Sequence, residues 1–209
     1  MPRKTVIKIV VAVLLFDAIT LPFIIMYVLR QTNQQEGDAG HSQVVGDTYA
    51  PLYPVPDFSF TSQAEKPFGK ADLLGKVWVV DVFFTTCAGP CPVMSRAMSD
   101  LAKQYDPATG PRFVSITVDP TYDTPAVLTA YAQRYEADLS EWTFLTGDNA
   151  KLQEFGAVGL KLGSVDSPLM HSEKFVLVDQ QGMICGYFTG TDQADVARLK
   201  TAIDTLLKR

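Results

Sequence analysis

Two cysteines, Cys87 and Cys91, carry the clearest chemistry in the sequence. They flank Ala88-Gly89-Pro90 and are followed directly by Pro92. Because proline disfavours the helical conformation in the residue before it, Gly89 and Cys91 are predicted to be non-helical, with a helix beginning at Pro92. Cys91 then lies near the helix N-cap, where unpaired N–H groups and the helix dipole favour a negative sulfur. A lowered pKa is therefore predicted for the Cys91 thiol.

Two thiols on one tight turn suit two kinds of chemistry. They can form a reversible disulfide, although motifs for thiol–disulfide exchange usually have two intervening residues and not three. They can also hold a soft metal ion such as Cu(I), for which paired thiolates are good ligands. A third interpretation, two small buried hydrophobic side chains, is disfavoured because the pair flanks Gly-Pro at a predicted strand-to-helix junction.

A closed metal site normally needs a third ligand, and the sequence offers few candidates. His171 lies in a loop that precedes a Val/Leu-rich strand, but a single histidine is more often a surface residue than a ligand. Cys185 lies within a predicted strand and is interpreted as a buried structural thiol. Met94 and Met170 offer soft thioethers, and both also fit simple packing. The residues by themselves leave the choice open.

Strands alternate with helices along the body of the chain. Apolar runs predict strands at 58–61, 76–84, 112–118, 142–146, 174–179 and 183–189. Helical spacing and capping residues predict helices at 92–105, 124–135, 148–156 and 192–208. This alternation predicts an α/β fold with a central sheet, helices on both faces, right-handed crossovers and a terminal hairpin that adds an antiparallel edge. Functional sites in such sheets lie beyond the carboxyl ends of the strands, where the cysteine pair follows strand 76–84.

The first thirty residues predict a membrane anchor. Residues 9–29 form an apolar run with one charge, Asp17, and at about 1.5 Å per residue they would span roughly 30 Å. Arg3, Lys4 and Lys8 precede the run, which predicts a cytoplasmic N-terminus. A cleaved secretory signal is the alternative, but its apolar region is usually shorter and ends in an Ala-x-Ala-like site, so a single uncleaved span is favoured. The expected organisation is an anchor at 1–30, a polar flexible tether at 31–50 that includes His41, and a folded domain at 51–209.

Charge and composition exclude two other classes of protein. The formal net charge is −5, which argues against nucleic-acid binding, since a phosphate-binding surface needs a basic excess. Three cysteines are too few for a small secreted scaffold held by disulfides. The core is therefore expected to be stabilised by hydrophobic burial.

Four segments in series resemble the Sco/SenC family of membrane-anchored copper-binding proteins. They are Asp81-Val82-Phe83-Phe84-Thr85-Thr86-Cys87 through Cys91-Pro92, Ser115-Ile116-Thr117-Val118-Asp119-Pro120-Thr121-Tyr122-Asp123-Thr124-Pro125, Thr143-Phe144-Leu145-Thr146-Gly147, and His171-Ser172 before Val176-Leu177-Val178-Asp179. The resemblance covers roughly residues 52–208 and implies a thioredoxin-like domain. It also implies a copper site, for Cu(I), Cu(II) or both, made by Cys87, Cys91 and His171. Residues 167–170 depart from the aromatic and acidic residues that the family usually has before the histidine.

The resemblance also implies a function. Family members assist the assembly of the dinuclear copper centre in subunit II of cytochrome c oxidase, either by donating copper or by reducing that subunit's cysteines. We therefore expect a copper metallochaperone in a bacterial cytoplasmic membrane, with its domain in the periplasm or outside the cell. Other periplasmic copper chaperones are further candidate partners. The alternative is a thiol:disulfide oxidoreductase with Cys87 and Cys91 as its redox pair, so the question of enzymatic activity stays open. A thiol peroxidase is disfavoured because the sequence shows no peroxidatic cysteine in its usual setting.

Two aspartates follow the strand next to the cysteine-bearing one. Asp119 and Asp123 are expected near the same rim of the sheet. Asp119 is a candidate for a contact with a metal ligand, whereas helix capping is the simpler interpretation of Asp123.

Overall fold

An eight-stranded mixed sheet runs through the part of the chain that this computed structural model describes, residues 49–163 and 172–209. Its strands are β1 (Tyr53–Pro54), β2 (Ser59–Ser62), β3 (Pro67–Gly69), β4 (Trp78–Phe83), β5 (Arg112–Thr117), β6 (Trp142–Thr146), β7 (Lys174–Val178) and β8 (Met183–Thr189). The helices are α1 (Lys70–Leu73), α2 (Pro90–Ala102), α3 (Pro125–Arg134), α4 (Asn149–Glu154) with a π-helical turn at Phe155–Gly159, and α5 (Gln193–Leu206). The predicted order of the longer elements is confirmed.

The strand order is β1-β8-β7-β4-β5-β6-β2-β3, which places β4 inside the sheet. β4 pairs with β5 in parallel and with β7 antiparallel, and β5 pairs with β6 in parallel. All six residues of β4 are buried, as its nearly continuous apolar run predicts for a strand covered on both faces. The hairpin of β7 and β8 continues the sheet on the other side of β4.

Alternate side chains of β4 pack into two separate hydrophobic cores. Val79 and Phe83 belong to a core that includes side chains of α2, α3 and α5. Trp78, Val80 and Val82 belong to a second core, with side chains of α1, α4 and the π-helical turn. Since successive side chains of a strand point to opposite faces, these two cores are the two layers of packing on either face of the sheet. The architecture is a mixed α/β fold consistent with a thioredoxin-like domain.

Three short elements, β1, β3 and α1, were absent from the sequence prediction. Each has four residues or fewer, too few for a hydrophobic period to show. β1 pairs with β8 and forms the edge of the sheet on this side, so the prediction that the hairpin of β7 and β8 forms this edge was wrong.

Helix α2 begins two residues earlier than predicted. Gly89 is its N-cap, Pro90 its first residue, and Cys91 is helical. The prediction of a non-helical Cys91 was therefore wrong. Proline suits the first helical position, and the N–H groups of the first turn have no partner inside a helix, so Pro92 removes no hydrogen bond there.

The predicted membrane anchor and most of the tether lie outside the described residues, which begin at Tyr49. Within residues 49–163 and 172–209, helices fall short of the length and apolarity that a bilayer crossing demands. The proposed domain boundaries therefore remain predictions.

Candidate metal centre

The two cysteines lie directly beyond the carboxyl end of β4, as the fold class predicts. β4 ends at Phe83, a short loop follows, and the helix α2 begins at Pro90. Cys87 is half-buried in this loop, and Cys91 is 5% exposed in the first turn of α2. The backbone N–H of Cys87 donates to the Phe84 carbonyl over 3.2 Å, which closes a tight turn before the first thiol.

The two thiols contact each other, and burial controls the acidity of the second. Removal from water raises the pKa of the Cys91 thiol to about 12, and a hydrogen bond with the Cys87 thiol adds to the increase. A hydrogen bond between this thiol and the backbone of Phe84 lowers the pKa and opposes the increase. The predicted lowering of this pKa was therefore wrong, because desolvation outweighs the field of the helix N-terminus. A metal ion that binds here must displace the Cys91 proton.

Asp81 is a buried carboxyl group on the same face of the sheet as Cys91, and its importance was not predicted from the sequence. Its side chain is 1% exposed and accepts a hydrogen bond from the Ser115 hydroxyl over 2.6 Å. The Trp142 Nε1–H donates to the same hydroxyl oxygen over 2.9 Å. Burial raises the pKa of Asp81 to about 7, and its charge in turn disfavours ionisation of Cys91. The available signal was a single acidic residue within the apolar run 77–84.

Asp123 joins the cysteine-bearing loop to the end of β5. Its fully buried carboxylate accepts hydrogen bonds from the Thr85 backbone N–H over 3.1 Å, the Thr117 hydroxyl over 2.5 Å and the Thr85 hydroxyl. The expectation that Asp123 caps a helix was wrong. Thr124 is the N-cap of α3, and its side chain accepts a hydrogen bond from the Val127 N–H.

Asp119 shapes the turn that presents Asp123. Its backbone carbonyl accepts hydrogen bonds from the N–H groups of Tyr122 and Asp123, and its own N–H donates to the Thr117 hydroxyl. A contact between the Asp119 carboxylate and a metal ligand remains a prediction.

His171 lies outside the described residues, which resume at Ser172. The strand that follows, β7, runs antiparallel to β4, with Val176 opposite Val80 and Val178 opposite Trp78. The first residue of β7, Lys174, therefore lies at the end of the sheet where β4 ends and the cysteines begin. Among the described residues, no three His, Cys, Asp or Glu side chains are grouped so that they could hold a metal ion.

The other candidate sulfur ligands are core residues or lie outside the described segments. Met94 is 1% exposed, within the core that α2 forms on the sheet. Cys185 is 5% exposed in β8, where its thiol contacts the Asp179 carboxylate at 3.6 Å. The predicted burial of Cys185 is confirmed. Met170 belongs to the residues that the structure does not describe.

Comparison with known proteins identifies relatives of the whole domain. The SCO1/SenC family model matches residues 48–208. A SCO1 protein homolog from Bacillus subtilis (strain 168) is 32% identical over 147 residues, which cover 67% of this chain and 76% of the relative.

Solved structures with this fold lead to the same family. A SCO1/SenC family lipoprotein from Bacillus anthracis str. Ames is 33% identical with a TM-score of 0.67, over 75% of this chain and 96% of that one. BsSco, described as a member of the Sco family of cytochrome c oxidase assembly proteins with a disulfide switch, is 30% identical with a TM-score of 0.67, over 76% and 96%. Bradyrhizobium japonicum ScoI with copper bound shares the fold at 22% identity and a TM-score of 0.54, over 71% and 98%. On the match to most of its length, this chain belongs to the SCO1/SenC family.

Proposed function

We propose that this protein is a copper metallochaperone that binds copper through Cys87, Cys91 and His171. The observation that carries the proposal is the pair of contacting thiols at the carboxyl end of β4. Two thiolates suit Cu(I), and an imidazole would complete a three-coordinate site. The antiparallel pairing of β7 with β4 supports the choice of His171, because the described chain enters β7 at the same end of the sheet.

The geometry suits transfer as well as binding. Cys87 is half-buried on a loop, whereas Cys91 is almost fully buried in a helix. A recipient's thiol can therefore approach the copper from the Cys87 side and replace that ligand first. Return of a proton to Cys91, whose pKa is raised to about 12, then favours release of the second sulfur.

The proposed recipient is the dinuclear copper centre of cytochrome c oxidase subunit II. The description of BsSco as a cytochrome c oxidase assembly protein supports this assignment. The proposed location is a bacterial cytoplasmic membrane, with residues 9–29 as a single span and the domain in the periplasm or outside the cell. Such a tether would raise the local concentration of the chaperone near a membrane-bound recipient.

The test compares the two histidines of the chain in copper titrations. The reduced, metal-free full chain in detergent is titrated with Cu(I) and with Cu(II), together with His171→Ala and the matched control His41→Ala. One ion per chain is expected, with Cu(II) affinity lowered about 10- to 100-fold or more in His171→Ala and unchanged in His41→Ala. An unchanged titration in His171→Ala would exclude the proposed ligand set.

The second candidate function is thiol:disulfide exchange, which the contacting free thiols also favour. Reduced Cys87 and Cys91 would then pass two electrons and two protons to a partner disulfide and become a disulfide themselves. Metal-free subunit II is mixed in its oxidised form with the reduced, copper-free chain, and in its pre-reduced form with the copper-loaded chain. Transfer of copper to pre-reduced subunit II supports the metallochaperone, whereas reduction of its disulfide by the copper-free chain, equal in His171→Ala, supports the oxidoreductase.

A further inference from the structure

The cysteine-bearing loop is held in place by a carboxylate from a different part of the chain. Asp123 follows β5, 38 residues beyond Thr85, and is 0% exposed. Its two oxygens accept three hydrogen bonds, two from Thr85 and one from Thr117. Because both donors of Thr85 bind one carboxylate, neither the backbone nor the side chain of that residue can rotate independently.

The hydrogen bond to the Thr85 N–H has a direct effect on Cys87. That N–H and the Phe84 carbonyl belong to the same peptide group, which is planar. Asp123 accepts the hydrogen bond from the N–H at one edge of this plane, and the carbonyl at the opposite edge accepts the Cys87 N–H over 3.2 Å. The orientation of a single peptide plane therefore connects the carboxylate to the backbone of the first thiol.

The second thiol depends on the same short segment. The Cys91 thiol forms a hydrogen bond with the backbone of Phe84 in addition to its contact with the Cys87 thiol. Both cysteines therefore form hydrogen bonds with Phe84, and Asp123 holds the peptide group that joins Phe84 to Thr85. Thr117 completes the arrangement by fixing the carboxylate to the last residue of β5, which is parallel to β4.

We propose that Asp123 is a positioning residue for the dithiol site, which holds the peptide between Phe84 and Thr85 so that the Cys87 and Cys91 sulfurs stay at a separation ready for a metal ion. The expected effect of Asp123 on metal binding rests on the proposed function, whereas its effect on the conformation of the cysteine-bearing loop does not. The residue acts through the backbone, because its carboxylate binds Thr85 and Thr117.

Asp123→Ala and Asp123→Asn separate positioning from charge. Alanine removes every acceptor. Asparagine has nearly the same shape, and its carbonyl oxygen can accept from the Thr85 N–H and the Thr117 hydroxyl, while its NH₂ group can donate to the Thr85 hydroxyl oxygen. A positioning role therefore predicts that asparagine restores most of what alanine removes.

Asp179→Ala is the matched control. Asp179 is also a buried aspartate, 4% exposed, and accepts hydrogen bonds from the backbone N–H groups of Gln181 and Met183 in the hairpin between β7 and β8. Loss of the Asp179 carboxylate should destabilise the fold by a comparable mechanism, but at the end of β7 that lies away from Cys87 and Cys91.

The first readout is amide hydrogen exchange in the metal-free, reduced full chain, measured by NMR. In Asp123→Ala we expect the Thr85 and Cys87 amides to exchange at least about tenfold faster relative to the core amide of Val114 in the same variant. In Asp123→Asn the change should be within about threefold. Asp179→Ala should leave this ratio unchanged. Wild-type exchange of both amides in Asp123→Ala would overturn the inference.

The second readout is the Cu(II)-loaded protein. Asp123→Ala should weaken Cu(II) binding about 10- to 100-fold and alter the sulfur-to-copper absorption band and the EPR hyperfine splitting, with both restored in Asp123→Asn. A wild-type spectrum and affinity in Asp123→Ala would overturn the inference. Failure of the wild-type chain to bind copper would instead overturn the proposed function, and amide exchange would still decide the role of Asp123.

If Asp123→Ala does not fold, two milder variants decide the question. Thr117→Val and Thr85→Val each remove one hydroxyl donor and leave the carboxylate in place. Each should increase the relative exchange of the Cys87 amide severalfold, and an unchanged rate in both would overturn the inference.

Discussion

Two buried thiols of this protein, Cys91 and Cys185, have similar burial and acidity but different neighbours. Each is 5% exposed, and burial raises the pKa of each to about 12. Each also has a buried aspartate nearby, Asp81 for Cys91 and Asp179 for Cys185.

The difference lies in the group that each sulfur contacts. Cys91 contacts a second, half-buried thiol on a loop at the end of the sheet, whereas Cys185 is in β8 with its thiol against the Asp179 carboxylate. Burial and acidity therefore do not distinguish Cys91 from Cys185. A second sulfur within contact distance does, because the proposed copper site, like a disulfide, needs two sulfurs.

Replacement of a cysteine by serine should have the largest effect on Cu(I) affinity, and this effect should differ strongly between Cys91 and Cys185. Cys87→Ser or Cys91→Ser is expected to lower Cu(I) affinity on the order of 10³-fold, since a hydroxyl is a poor ligand for a soft ion. Cys185→Ser should stay within about threefold of the wild type. Competition with a Cu(I) chelator measures all three, and equal losses in Cys185→Ser and Cys91→Ser would contradict the division.

Replacing the aspartate beside Cys91 should change how stability depends on pH. In the folded protein Asp81 keeps its proton up to about pH 7, whereas in the unfolded chain it ionises near 3.8. Its contribution is therefore fully present below about pH 4 and is lost as pH rises through 7. Asp81→Asn should raise the free energy of unfolding at pH 8 relative to the wild type by on the order of 2–4 kcal/mol.

Urea denaturation at pH 5 and pH 8 tests this expectation. The advantage of Asp81→Asn should be larger at pH 8 than at pH 5. Asp100→Asn, on the exposed side of α2, provides the control and should show the wild-type pH dependence. An equal change in the free energy of unfolding between pH 5 and pH 8 for Asp81→Asn and the wild type would show that burial does not raise the pKa of Asp81.

Proton release on metal binding should distinguish the paired thiol from the isolated one. Because the pKa of Cys91 is raised to about 12, Cu(I) must displace its proton at any pH between 6 and 8. Apparent Cu(I) affinity should therefore rise at least about tenfold per pH unit across this range. Chelator competition at fixed pH values measures the slope, and Cys185→Ser should leave it unchanged. A flat dependence would mean that Cys91 is not a ligand.

The smallest effect is expected at the structural thiol. Cys185→Ala removes the thiol contact with Asp179 and leaves a small cavity, so the free energy of unfolding should fall by about 1 kcal/mol. Copper affinity should not change. Urea denaturation measures the loss, and a change in copper affinity would contradict the structural role of Cys185.

The sequence by itself determined the elements and the pairing of the thiols. Hydrophobic period and capping residues are local, so the strands of the central sheet, the longer helices and the strand-to-helix junction with Cys87 and Cys91 could all be predicted. Motif order indicated the family, and the resemblance to that family led to the prediction that His171 is the third ligand. Short elements such as β1 and β3 carried too few residues to show a period.

Only the tertiary structure decided the environment of the site. The Cys91 pKa is raised and not lowered, because desolvation sums over side chains from β4, α2 and the neighbouring elements that no local spacing reveals. Asp123 binds Thr85 across 38 residues, and Asp81 is buried against Ser115 across 34. Contacts of this kind depend on which strands lie side by side, and strand neighbours are set by packing of the whole sheet.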